Sequence, residues 1–338
     1  MHVFELIRRL IEIPSISGDE KAVAEFLADY LSRIGFAVDL QEAEPQRPNV
    51  YARHGDPYVV MSSHTDTVPP YVECREDDEV IYGRGACDAK GIIAAMVKAA
   101  ERLVEEQVSD FGLLFVVGEE AGSAGAVAAN HIANRSRYLI NGEPTESKLA
   151  LGSKGALRAA LRATGRAAHS AYPHLGESAI DKLLDILADL RRMDLPVDST
   201  LGATTLNIGL IKGGVATNVI APEAEAELLF RIVTDANTVR RKFEATVGGR
   251  AEIEYSFACD AVVMEPLAGF DTDVVAFTTD IPLLTNWGKP LLFGPGSILD
   301  AHTAHERISK SELLRAVDVY AQMTASLKER IKDSASQN

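Results

Sequence analysis

YVVMSSHTDTVPP, residues 58–70, is an apolar run that stops in a loop of imidazole and carboxylate. Tyr58, Val59, Val60 and Met61 read as a buried strand, and His64 and Asp66 follow in a loop that Pro69 and Pro70 close. Two later stretches repeat that form. Phe111 to Val117 is a continuous apolar run that enters GEE at 118–120, and Tyr138 to Ile140 enters NGEPT at 141–145. Before both of these, GIIAAMVKAAERLVEE at 91–106 is apolar in its first half and charged in its second, as for a helix packed on a sheet. Strands alternating with helices give an α/β sheet with helices on its faces, in which functional loops leave the strand ends.

Toward the N-terminus, Val3, Leu6, Ile7, Leu10 and Ile11 recur at helical spacing until Pro14 ends the helix. SGDE at 17–20 has the form of a capping box, followed by Val23, Phe26, Leu27, Tyr30, Leu31 and Ile34 on one face and Gly35 as the stop. Short strands are expected at 36–40, 49–53 and 58–62. The character changes near Ser153: the periodicities predict strand 155–164, helix 178–193, strands 204–212 and 224–232, helix 235–247 and strand 251–257. That βαββαβ order is a ferredoxin-like unit. After Cys259 the chain returns to α/β material, with a helix expected around 271–280, the strand Pro290 to Phe293, the loop GPGSILDAHTAHE at 294–306 and a closing helix from Ser309; the final DSASQN is expected to fray. The domain reading is a catalytic domain of 1–153 and 259–338 with an insertion at 154–258.

The balance of 34 basic against 49 acidic residues, net −15, argues against nucleic acid or an anionic membrane surface as partner. Three scattered cysteines, Cys74, Cys87 and Cys259, make neither a disulfide framework nor a thiolate zinc site and fit a reducing compartment. No apolar run approaches the roughly 20 residues of a spanning helix, and MHVFELIRRL is unlike a signal peptide. The expectation is a cytoplasmic protein acting on small molecules.

Five side chains in loops beyond predicted strands have the chemistry of metal ligands: His64, Asp88 (in YGRGACDAKG, 82–91), Glu120, Glu143 and His302. Any one of them alone is better read as an ordinary polar side chain. Together, in Gly- or Pro-marked loops, they are not placed where idle polar groups accumulate. Imidazole and carboxylate without thiolate suit Zn²⁺, with Co²⁺ or Mn²⁺ as alternatives, and five ligands exceed what one catalytic zinc takes from protein. Two divalent ions sharing one carboxylate explain the count. Asp66, two residues from His64, is placed to accept the other imidazole N–H, although a turn-forming Asp is the simpler reading of it alone. Of the adjacent Glu119 and Glu120, one would ligate and the other move protons.

HTDTVPP, YGRGACDAKG, GEE, GEPT and GPGSILDAHTAHE, in this order and with a βαββαβ insertion, resemble the dinuclear zinc metallopeptidase family of acetylornithine deacetylase, succinyl-diaminopimelate desuccinylase, aminoacylase and glutamate carboxypeptidase. The resemblance spans nearly the whole chain. It implies a zinc-peptidase-like catalytic domain and an inserted lid or dimerisation domain. By the resemblance, His64 and Glu143 complete one metal site, Glu120 and His302 the other, Asp88 bridges them, Glu119 is the proton shuttle and Asp66 orients His64. In GRAAHSAYP at 165–173, His169 would stabilise the oxyanion, across a homodimer interface in dimeric members; Asn218 in GVATNVIAP and Arg231 in LLFRIV would hold the substrate carboxylate. A plain loop histidine is the competing reading of His169, and a strand-edge charge that of Arg231.

The implied reaction is amide hydrolysis by a water activated between two metals. Its leading substrate is an N-acyl amino acid of the acetylornithine or acetyl-lysine kind. The alternatives are a dipeptidase or carboxypeptidase acting on short peptides, and a non-catalytic member that keeps the fold for binding. The pattern departs from relatives in places: Ala304 and His305 in HTAHE make His305 a rival to His302, the 70–82 loop lacks the usual Trp and Pro-Phe pair, Arg231 is followed by Ile-Val-Thr, and Cys87 adjoins Asp88.

Overall fold

The strand Val59–His64 lies inside a six-stranded sheet whose order is Ala37–Glu44, Arg47–His54, Phe111–Val116, Val59–His64, Tyr138–Asn141 and Lys289–Leu292. The computed structural model describes residues 1–336. The first two strands join the sheet antiparallel, while the remaining pairings are parallel. The three central parallel strands, Phe111–Val116, Val59–His64 and Tyr138–Asn141, are buried along their whole length, which is why they read as apolar runs rather than alternating ones. Register places His64 opposite Val116 and Ser62 opposite Asn141, so three neighbouring strands end together. Their C-terminal ends deliver His64, the GEE turn and the GEPT turn to one edge of the sheet, the place where parallel α/β sheets bind ligands.

Helix Val3–Glu12 buries Val3, Leu6, Ile7, Leu10 and Ile11, as its periodicity predicts. Helix Lys21–Arg33 forms as expected but without the capping box: Glu20 occupies the cap position and makes no side-chain cap bond. Its carboxylate instead accepts from Gly18 N at 3.0 Å and from Arg47 Nε at 2.8 Å. A fully buried carboxylate gains more from a guanidinium fork than from one N–H at a helix end. Helix Lys90–Glu105 buries its first turns against the sheet, and the closing helix Lys310–Ser336 packs on it through Leu313, Ala316, Tyr320, Met323 and Leu327. Of the stretch DSASQN, that helix takes in 333–336, and 337–338 lie outside the described residues. No helix among the described residues is long and apolar enough to cross a membrane.

The chain divides into two compact units, one of Met1–Leu151, Met264–Asp273 and the residues from Thr279 onward, the other of Gly152–Val263 with Val274–Thr278. The second contains a four-stranded antiparallel sheet ordered Thr205–Gly213, Glu223–Ile232, Gly155–Thr164, Glu252–Cys259. In chain order that is second, third, first, fourth, the ferredoxin-like arrangement. Alternate residues Ala224, Ala226, Leu228, Phe230 and Ile232 face helices Ala179–Arg191 and Ala236–Val247, which supply Leu183, Ile186, Leu190, Val239 and Phe243 to one core.

The helix expected around 271–280 is absent. Thr272–Val275 is a strand, and short 3₁₀ turns follow at Ile281–Leu283 and Thr285–Trp287. Leu149 N donates to Asp271 O and Lys154 N to Val275 O. The β-branched run Thr272, Val274, Val275, Thr278 and Thr279 resists helix, and Pro282 bars its continuation.

Candidate active site

His64 is the last residue of its strand and is buried with only 1% exposure. Its Nε2 lies 2.9 Å from Asp88 Oδ1 and 3.9 Å from Glu143 Oε2. Burial opposes a charge on this ring, yet the bonds with Asp66 and Asp88 outweigh it and hold the imidazole pKa well above its usual range. Asp88 ends the turn before helix Lys90–Glu105, behind the Asp88–Ala89 peptide, which is cis. It offers its second oxygen, Oδ2, to His302 Nε2 at 3.3 Å. His302 Nε2 in turn lies 2.7 Å from Glu120 Oε1.

Two groups of ligand atoms therefore meet on Asp88. His64, Asp88 and Glu143 have one ligand atom each within 4.8 Å of one another, and so do Asp88, Glu120 and His302. A third group, His64 with Glu119 and Glu120, overlaps both. Two nitrogens and several carboxylate oxygens, with no thiolate, are the donor set of Zn²⁺, Co²⁺ or Mn²⁺, so the residues present fit a pair of divalent cations. The electrostatics agree. Burial alone would raise the Asp88 carboxyl, but its bonds to His302 and His64 hold it far below the usual carboxylate range. Burial pushes Glu143 and Glu119 well above that range, Asp280 adding to it at Glu119. Without cations this site holds more carboxylate than it can keep charged.

Gly118 (φ 77°) and Gly122 (φ 99°) bracket the turn Glu119–Ala121, and this left-handed backbone, open to glycine at little cost, folds the two glutamates back on the strand end. Asp66 secures that turn. Its Oδ1 accepts from Glu119 N at 3.0 Å, and its Oδ2 from Glu120 N at 3.1 Å and from Ser17 Oγ at 2.7 Å. The Asp66 carboxylate stands beside the His64 N–H, as expected, but it shares that N–H with a nearer acceptor. The nearer acceptor for His64 Nδ1 is the Asp66 main-chain oxygen at 3.0 Å, with the carboxylate at 3.4 Å. Sequence spacing placed Asp66 near the ring but could not show that the turn's own amides occupy its oxygens.

His302, not His305, reaches the candidate ligands: among the described residues His305 belongs to none of the ligand groups, and its amide bonds to Thr303 Oγ1. His302 adopts φ 63°, a strained conformation for a side chain of its size.

The remaining three residues lie in the second unit. Ser170 N donates to Asn218 O at 3.0 Å and Ile220 N to Ala168 O at 2.8 Å, while His169 and Val219 form a β-bridge, so the His169 and Asn218 segments are brought side by side. Arg231 is not with them. Along strand Glu223–Ile232, Glu223 pairs with Thr164 and Arg231 with Ala156, which puts the arginine at the far end of the strand, roughly 26 Å from Glu223 at about 3.3 Å per residue. Arg231 is half-buried, and burial together with Arg158 lowers its pKa.

Several residues near the site were not foreseen. Asp280 is buried, and burial raises its pKa to about 6 although the Ser123 side chain draws it down. Lys90 is buried with Nζ bonded to Ile13 O at 2.7 Å, and burial lowers its pKa to about 7. Arg84 and Glu306 form a buried pair. Arg84, Lys90 and Glu306 stand inside the quoted motifs, which was the available signal; Asp280 had none.

Residues 60–326 match the peptidase family M20/M25/M40. The chain is 40% identical over 337 residues to a peptidase M20 domain-containing protein of Schizosaccharomyces pombe, covering 95% of this chain and 84% of that one. It is 35% identical over 393 residues to a probable carboxypeptidase of Arthroderma otae, covering 97% and 86%. Among solved structures, a Staphylococcus aureus tripeptidase superposes with a TM-score of 0.80 at 23% identity over 96% of this chain and 98% of that one. A Sulfolobus solfataricus M20 family metallo-carboxypeptidase gives 0.74 at 18% identity over 96% and 98%. On the extent of the motif match and of these identities, the chain belongs to the peptidase family M20/M25/M40.

Proposed function

We propose that this chain is a metal-dependent hydrolase that cleaves an amide whose amine half carries a free carboxylate. The observation that carries the reading is Asp88, which turns one oxygen to His64 and the other to His302 within two overlapping histidine–carboxylate groups. His64, Asp88 and Glu143 would hold one divalent cation, and Asp88, Glu120 and His302 the other, Zn²⁺ before Co²⁺ or Mn²⁺. Cations there supply Lewis acidity toward a carbonyl and a lowered pKa for water. Glu119 takes a proton from the attacking water and passes it to the departing nitrogen, work for which its buried, pKa-raised carboxyl is suited. Asp66 keeps Glu119 in place by holding its amide. His169 is assigned to the oxyanion, and Asn218 and Arg231 to the substrate carboxylate, on the resemblance of their segments.

That definition takes in both an N-acyl amino acid and a peptide with its C-terminal bond exposed. The naming of relatives as probable carboxypeptidases favours the peptide; the acetylornithine or acetyl-lysine kind of substrate stands second. The second unit, read as 154–258, is assigned lid and dimerisation roles, with a cytoplasmic setting. The test is metal analysis coupled to hydrolysis of two panels, C-terminally free short peptides and N-acetyl amino acids. Peptides are expected to turn over faster. Glu119→Ala is expected to lower kcat at least about 100-fold with metal content unchanged, and unchanged turnover in that variant refutes the shuttle.

A further inference from the structure

Four residues beyond His302, the Glu306 carboxylate is buried beneath the loop that carries Asp88. Its Oε1 accepts from two successive amides, Cys87 N at 3.3 Å and Asp88 N at 3.2 Å. Its Oε2 accepts from Arg84 Nη1 at 2.6 Å, and Arg84 is itself only 2% exposed. The same guanidinium donates from Nη1 to Thr303 O at 3.2 Å and from Nε to Pro70 O at 3.1 Å. Gly83 N adds a main-chain bond to Glu306 O at 3.0 Å.

These acceptors and donors belong to three different segments. Pro70 closes the loop that begins with His64, Cys87 and Asp88 carry the shared carboxylate, and Thr303 follows His302. We propose that Arg84 and Glu306 form a positioning clamp that fixes His64, Asp88 and His302 relative to one another, and so sets the affinity and coordination geometry of the cation pair. The clamp rests on the metal reading given above.

Stability alone is a poor explanation for the pair. A buried ion pair seldom stabilises more than well-packed apolar side chains of the same volume. This one also buries a second carboxylate against the Asp88 turn, where the two like charges repel. An apolar pair would avoid that repulsion but would leave the buried amides of Cys87 and Asp88 without an acceptor. The clamp further explains how His302 is kept at φ 63°: the peptide oxygen just after it is gripped by Arg84, and Arg307–Ser309 pairs with Val80–Tyr82. Strained backbone persists where its surroundings over-determine it. Lysine cannot replace Arg84, because one ammonium does not reach Pro70 O, Thr303 O and Glu306 together.

The test uses cobalt(II) chloride as probe on metal-free full-length chain, reading the binding isotherm and the visible absorption spectrum. Two variants are compared with wild type: Arg84→Lys, and the charge-neutral Arg84→Met/Glu306→Gln. Cobalt affinity is expected to fall about 10- to 100-fold in the double variant, with an altered spectrum, while the metal-free protein still melts cooperatively; Arg84→Lys is expected to fall between it and wild type. Wild-type affinity and spectrum in a folded variant overturn the clamp. If the double variant does not fold, Arg84→Lys decides by the same readouts. A wild-type chain that takes up no cobalt overturns the metal reading and the clamp with it, and is distinguishable because the loss precedes any substitution.

Discussion

His302 is about half-exposed, yet its bonds to Asp88 and then Glu120 outweigh burial and raise its pKa from 6.5 to about 10. The sign of the linkage follows. A base whose folded pKa is raised stabilises the folded chain fully below its unfolded pKa of 6.5 and loses that contribution as pH rises through about 10. Metal-free protein should therefore lose melting temperature across that window relative to His302→Gln. The difference between the two proteins is the quantity to read. Lys90, lowered by burial from 10.5 to about 7, works in the opposite direction over the overlapping range, and its slope cancels in the comparison. A bound cation needs a neutral imidazole, so zinc added near pH 7 in weak buffer should release protons, with about one fewer released by His302→Gln. Equal release from both proteins would show that His302 carries no displaceable proton there.

Among the elements, the start of helix Lys90–Glu105 is the most closely seated. A Cβ at Gly91 would lie 2.2 Å from Ala86 O and 3.2 Å from Ile7 Cδ1, so the helix can approach the Asp88 turn and helix Val3–Glu12 only without a side chain there. Gly91→Ala is expected to destabilise by about 1–3 kcal/mol or more by overpacking, and also to weaken metal binding, since the displaced carbonyl lies in the Asp88 turn. Leu10→Ala is the control. It should cost about 2–5 kcal/mol by opening a cavity in helix Val3–Glu12 and leave metal affinity unchanged. Urea denaturation with a parallel cobalt titration separates the two. Element by element, the alternations and apolar runs of the strands were legible because each is set by which face the strand buries. The segment 271–280 was misread because apolar spacing over ten residues does not separate helix from strand. The capping box was misread because a buried partner, Arg47, lay 27 residues away in sequence.

For the whole molecule, Arg231 lies at the end of strand Glu223–Ile232 remote from the loop of Asn218, so the proposed joint grip of these two residues on one substrate carboxylate requires a second copy to supply one of them. The outer strand Thr205–Gly213 is available for such pairing, with Leu210 60% and Ile211 56% exposed. Apolar side chains on an unpaired edge strand favour association. Sedimentation velocity at micromolar concentration should show a dimer, and Ile211→Lys should shift it toward monomer and reduce turnover. A wild-type monomer with full activity would remove the second copy from the account.

The sequence by itself determined the two kinds of sheet, the βαββαβ order and the identity of the polar residues at the strand ends, because hydrophobic periodicity and local loop chemistry are short-range properties. Only the tertiary structure decided which oxygen of Asp88 faces which histidine, that the Asp66 carboxylate also takes the amides of Glu119 and Glu120, and that Glu306 stands beneath the Asp88 turn. Those facts depend on the register of parallel strands and on contacts between residues as much as 222 positions apart. Chain closure over such distances is fixed by the packing of the whole core, and no local pattern encodes it.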